Sequence, residues 1–192
     1  MAEAITHVST ITPSGSVTDI EFTSIPATYD DLLFIGTLKG ANTGAWTPSN
    51  SGNQILFGDS SGYWTGSGAY NYQELYDRYS NSTFLGYQNN YSSAGASTYV
   101  SCRPIPGSAN DAYTPAAWYI YVPGYAVTTN APGRNFQIFA GCISNSTNTE
   151  QHVAVTAGMI LKYTAIEKIK FSSGVGNFTT SSKMSLYGIK NT

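Results

Sequence analysis

The sequence predicts an all-β domain, a jelly-roll-like β-sandwich of about nine or ten strands with long loops. Three observations carry that expectation. Short runs of β-branched and aromatic residues recur along the chain, each bounded by Gly, Pro, Asn or Ser. The composition has 15 Tyr, 8 Phe and 19 Gly but only 10% charged residues, whereas helical domains place more Glu and Lys on their solvent faces. A helical period is nowhere sustained beyond about two turns.

Taken in order, Ala4 to Ile11 alternates and ends in the turn signal Thr12-Pro13-Ser14-Gly15. Val17 to Phe22 sets Ile20 and Phe22 against Asp19 and Glu21, the pattern of a strand with one wet face. Asp31 to Leu38 is the most continuously apolar run and reads as a central strand buried on both sides. Lys39 to Asn53, around Trp46, is a long loop of the kind that is functional or packed on a neighbour. Gln54 to Phe57 is a short strand before the turn Gly58 to Gly62. Tyr63 to Tyr91 is crowded with aromatics, and within it Tyr72 to Tyr79 fits a short helix or an amphipathic strand equally well. Tyr99 to Ile105, Ala117 to Val122, Asn135 to Ile143 and His152 to Tyr163 follow as strands. The last two runs, Ile166 to Phe171 and Met184 to Ile189, flank a Gly/Ser/Thr connector and read as a hairpin-like pair that closes a sheet. Apolar residues on both faces of Met184 to Ile189 make Tyr187 and Ile189 candidates for an assembly contact.

Length and charge narrow the class. A chain of 192 residues is read as one domain, residues 1–192, with 1–14 either an N-terminal arm or an edge strand. The net charge is −2 and the nine Lys and Arg are scattered, which argues against nucleic acid as a partner. The N-terminus has no secretory signal pattern and no apolar run reaches membrane-spanning length, so the expectation is a soluble chain made in the cytoplasm. Cys102 and Cys142 are too few for a disulfide framework and too far apart for a zinc knuckle; they read as buried thiols, with a bridge between them left open. A surface built from Ser, Thr, Asn, Gly and Tyr suits a protein embedded in an assembly better than a free enzyme.

Catalysis needs a positioned acid, base, nucleophile or metal. His7 and His152 both fall in strand patterns, and no nucleophile-elbow sequence accompanies the many serines. The carboxylates Asp30, Asp31, Asp59, Glu74, Asp77, Asp111, Glu150 and Glu167 lie mostly in turns or at strand ends, where they serve backbone hydrogen bonding. GDSSG at 58–62 lacks the spaced acids of a calcium loop, and no Gly-rich run has phosphate-cradle spacing. The expectation is therefore no enzyme, no cofactor and no metal. Trp46, Trp64, Tyr70, Tyr72 and Tyr76 remain as candidate contacts, because such rings fill a core, anchor an interface or stack on sugars.

Three short segments carry a resemblance. Ala27-Thr28-Tyr29-Asp30-Asp31-Leu32 leads into a strand, Ile55-Leu56-Phe57-Gly58-Asp59 precedes the aromatic segment, and Phe178 stands ahead of Met184-Ser185-Leu186-Tyr187-Gly188-Ile189. In this order they resemble a family of small tailed-bacteriophage virion proteins with the pattern ATYxxLxI, FNGDxxxNY and FxxGSxFSLYGI. The chain departs from that pattern by lacking the Asn beside Phe57 and by carrying residues 179–183 in place of Gly-Ser. The resemblance implies a jelly-roll sandwich and a self-associating structural role in the virion. The first expectation is a head decoration (cement) protein, a homotrimer bound to the major capsid protein, with an open sheet edge available for strand addition. The second is a tail-fibre or receptor-binding module that holds a host glycan on its aromatic loops. A small β-sandwich hydrolase is the third.

Overall fold

The computed structural model describes residues 4–41, 53–66, 68–80, 83–91, 98–101, 115–128, 133–143, 151–173 and 176–191. Thirteen strands run through them: β1 Ala4–Ile11, β2 Asp19–Phe22, β3 Asp31–Leu38, β4 Gln54–Asp59, β5 Gly62–Tyr63, β6 Tyr70–Ser80, β7 Thr83–Tyr91, β8 Val100–Ser101, β9 Ala116–Pro123, β10 Arg134–Ile143, β11 Gln151–Ile160, β12 Lys168–Ser172 and β13 Lys183–Lys190. They form two antiparallel sheets, an eight-stranded one in the order β1-β13-β3-β9-β10-β11-β6-β7 and a five-stranded one in the order β2-β12-β4-β5 with β8 also on β4. The all-β sandwich is as the sequence predicts.

Alternation builds the core. In β9 every second residue is buried, with Trp118, Ile120 and Val122 inward. β10 does the same with Phe136, Ile138 and Ala140, against Gln137 and Phe139 outward. From the small sheet come Ile20, Phe22, Ile55, Phe57, Ile169 and Phe171, all essentially inaccessible. Phe34 of the large sheet meets Phe22 and Phe171 edge-on, with ring centroids 5.4 and 6.0 Å apart. Fully burying each such side chain contributes about 1.5–3 kcal/mol, and edge-to-face pairs add about 0.5–1.5 kcal/mol.

Two expectations need correction, and one left open is decided. The two terminal runs are not a hairpin: β12 lies between β2 and β4 in the small sheet, and β13 between β1 and β3 in the large one. Between them Phe178, fully buried, exchanges two backbone hydrogen bonds with Val17. The ambiguous Tyr72–Tyr79 segment belongs to the eleven-residue strand β6, paired with both β11 and β7; two flanking partners outweigh its helical spacing. β7 and the two-residue β5 had no sequence signal strong enough to separate them. β3 is buried on both faces only at first, since Leu33 is covered whereas Ile35 is 44% exposed on the outer face. Of the predicted strand 99–105, Val100–Ser101 is observed, and Cys102 onward lies outside the described residues. Among the described residues β1 is an edge strand of the large sheet, paired with β13.

Candidate interaction face

The predicted aromatic contacts divide into two groups. Trp64, Tyr70 and Tyr72 are core residues, 7%, 2% and 2% exposed, so they present no stacking platform for a sugar or a partner. Their polar ends are used internally. β5 and β8 cover the two ends of one side of β4, leaving the Phe57 N–H between them without a strand partner. The Tyr70 hydroxyl fills that gap, accepting from the Phe57 N–H at 2.9 Å and donating to its carbonyl at 3.3 Å. Burial holds the Tyr70 phenol above its ordinary pKa. Tyr72 likewise accepts the Ser101 N–H at 2.9 Å, so two phenols from the large sheet strap the small one. Trp64 donates from Nε1 to Asp59 at 3.3 Å. Tyr76 stands in register opposite Ala154 and Tyr87, and Trp46 lies outside the described residues.

Tyr187 and Ile189, by contrast, are half-buried on the outer face of the large sheet. Tyr187 meets His7 of the edge strand with centroids 5.4 Å apart, and the His7 ring is hydrogen-bonded to Thr10 at 2.7 Å. That face carries a feature the sequence reading missed. Ile35, Tyr119, Phe139, Val155 and Leu75 pair in register across five consecutive strands, β3, β9, β10, β11 and β6. Four of them are 39–56% exposed, namely Ile35, Tyr119, Phe139 and Leu75. Tyr119 and Phe139 stack edge-on at 5.9 Å. Val153, 57% exposed, adds to one flank, where an open depression of about 350 Å³ runs over Ala117, Tyr119, Phe139, Gly141 and Val153.

The row is free of charge. Its neighbours on one side are Tyr187, Leu33, Tyr121, Gln137, Ala157 and Gln73. On the other side are Thr37, Ala117, Gly141 and Val153, with Lys183 at one end and Asp77 at the other. At ~4.8 Å per strand and ~3.4 Å per residue, this patch covers roughly 500 Å². An exposed apolar row flanked by Gln137, Gln73 and Thr37 in a patch of that size is a candidate interaction site. A signal existed in the sequence: the strands AWYIYV, NFQIFAG and HVAVTAG carry apolar residues at outward as well as inward positions.

The three motif segments do structural work. Tyr29 of ATYDDL lies over Gly188 of SLYGI, so that a Cβ built on Gly188 would come within 2.2–2.4 Å of three ring carbons. Gly58 makes the close approach to Gly62 in the β4–β5 turn. Asp59 accepts hydrogen bonds from the Ser61 hydroxyl and N–H, from Thr164 at 2.7 Å and from Trp64, and these hold its carboxyl well below the usual range. Asp31 is similar: burial works against its charge, but donors on Tyr121, Gly124 and Asn191 keep its pKa low. These carboxylates serve turns and strand ends. Glu74 is buried inside β6. His152 is buried in β11. Cys142 is a free thiol pushed up to about 12 by burial, which suppresses the reactive thiolate. Among the described residues no group of three or more His, Cys, Asp or Glu could hold a metal, and no helix is long and apolar enough to cross a membrane.

No family model, curated protein or solved structure matches the chain.

Proposed function

We propose that the chain is a non-enzymatic structural protein of a tailed-bacteriophage virion, a head decoration protein that self-associates as a trimer on the major capsid protein. The observation that carries the self-association is the uncharged apolar row across β3, β9, β10, β11 and β6. Its occupant in this reading is a second copy of the chain. A face whose charged residues, Lys183 and Asp77, lie at opposite ends of one margin and are of opposite sign meets its own copies with little like-charge repulsion, and its roughly 500 Å² is a large part of the ~800 Å² one side of a standard interface buries. In a cyclic trimer three such faces would turn toward the common axis as a three-sided prism of sheets. The phage assignment is supported by the motif resemblance, whose Tyr29 and Gly188 pack against one another.

Light scattering of the purified protein tests this, alongside binding to heads stripped of their decoration. Wild type is expected at trimer mass and on the heads. Phe139→Asp, at a 45% exposed position, should keep the circular dichroism and melting of the fold but run as a monomer, because burying an unpaired carboxylate costs several kcal/mol. A wild-type monomer that ignores the heads would overturn the proposal.

A further inference from the structure

At the end of the large sheet where β9 turns toward β10, a pocket of about 230 Å³ opens between Gly124, Val127, Gly133, Arg134, Asn135 and Lys162. Gly124 (φ 60°) and Gly133 (φ 68°) adopt left-handed turns that shape its wall. Arg134 is 6% exposed. Its guanidinium donates from one terminal nitrogen to the Lys162 carbonyl at 2.7 Å and from the other to the Val127 carbonyl. Its Nε–H is buried without an acceptor.

The charge of this guanidinium is unbalanced. The ion pairs formed between described side chains are Lys170 with Glu21 and Lys190 with Asp30, neither of which reaches the pocket. Asp31, which binds the Gly124 N–H, commits its oxygens to Tyr121, Gly124 and Asn191. Lys162 lines the same wall, where its carbonyl accepts from Arg134. Withdrawing a cation from water without a counter-ion costs several kcal/mol, and burial alone already lowers the Arg134 pKa. Two carbonyl dipoles offset only part of that cost, and an anion would offset much more.

We propose that this pocket binds a carboxylate, which takes the remaining terminal N–H groups of Arg134 while Lys162 supplies the second positive charge. The volume suits an acetate-to-glutamate-sized group. The carboxylate is either free in a small molecule or carried on an acidic side chain of a partner.

Titration of the ¹⁵N-labelled full chain tests this through the Arg134 Nε–H resonance. The probes are sodium acetate, a blocked Glu-containing tripeptide and inorganic phosphate, each at matched ionic strength. A saturable shift with acetate and peptide is expected, weakened about tenfold in Lys162→Met, the loss of one charge-assisted contact. Because Arg134 also ties two carbonyls, Arg134→Gln serves only as a second variant, its fold checked by melting. A response to peptide alone assigns the carboxylate to a partner protein, and one to acetate alone assigns it to a small molecule. A stronger response to phosphate than to either carboxylate, no saturable shift with any probe, or an undiminished response in Lys162→Met overturns the proposal.

Discussion

Replacing Gly188 with alanine puts one methyl group where the Tyr29 ring already sits. The new Cβ would lie 2.2 Å from Tyr29 Cγ, whereas unstrained carbon contacts need about 3.5–4.0 Å, so the ring must retreat by roughly 1.5 Å. Tyr29 packs against the core between β2 and β3, and its N–H donates to Tyr125 at 3.3 Å. Overpacking of this kind costs about 1–3 kcal/mol, offset by about 0.5–1 kcal/mol from removing a glycine in a strand. The net loss should be about 1–2 kcal/mol, which in a chain of this size lowers the melting temperature by roughly 2–8 °C. The double-mutant cycle is the sharper assay. In a Tyr29→Ala background the methyl enters vacated space, so Gly188→Ala should become neutral or slightly stabilising, giving a coupling of about 2 kcal/mol in urea unfolding. If Gly188→Ala costs the same in both backgrounds, the ring is not what excludes a side chain at 188. The link between the two motif segments would then be wrong.

Tyr70→Phe removes only the hydroxyl that serves the Phe57 N–H, while the Phe57 carbonyl keeps the Trp64 N–H at 2.9 Å. One orphaned buried N–H should cost about 1–3 kcal/mol in denaturant unfolding, and a change below about 0.5 kcal/mol would show that the strap is dispensable. Asp59 predicts an acid-sensitive fold. Its folded pKa lies below the unfolded value of 3.8, so its contribution is present above about pH 4 and lost as pH falls through the folded value. Asp59→Asn should flatten the loss of melting temperature between about pH 5 and pH 2, and an unchanged slope would assign acid sensitivity to other carboxylates.

Much of the architecture is legible in local pattern. The alternation in Ala116–Pro123 and over residues 134–140, and the one wet face of Asp19–Phe22, follow from the period of two that pleating imposes. The candidate sites were less legible. Trp64, Tyr70 and Tyr72 advertise binding because large amphipathic rings serve cores and interfaces alike. Only their burial, with each polar end spent on Asp59, Phe57 or Ser101, assigns them to the core.

By itself the sequence determined the fold class, most strand positions and which face of β9 and β10 turns inward, because those depend on residues close together in the chain. Only the tertiary structure decided which strands are neighbours. It places β12 and β13 in opposite sheets, aligns Ile35, Tyr119, Phe139, Val155 and Leu75 into one row, and brings Arg134 beside Lys162. Those pairings join residues from distant segments through register. Register is set by burial of the whole sheet, not by any single strand.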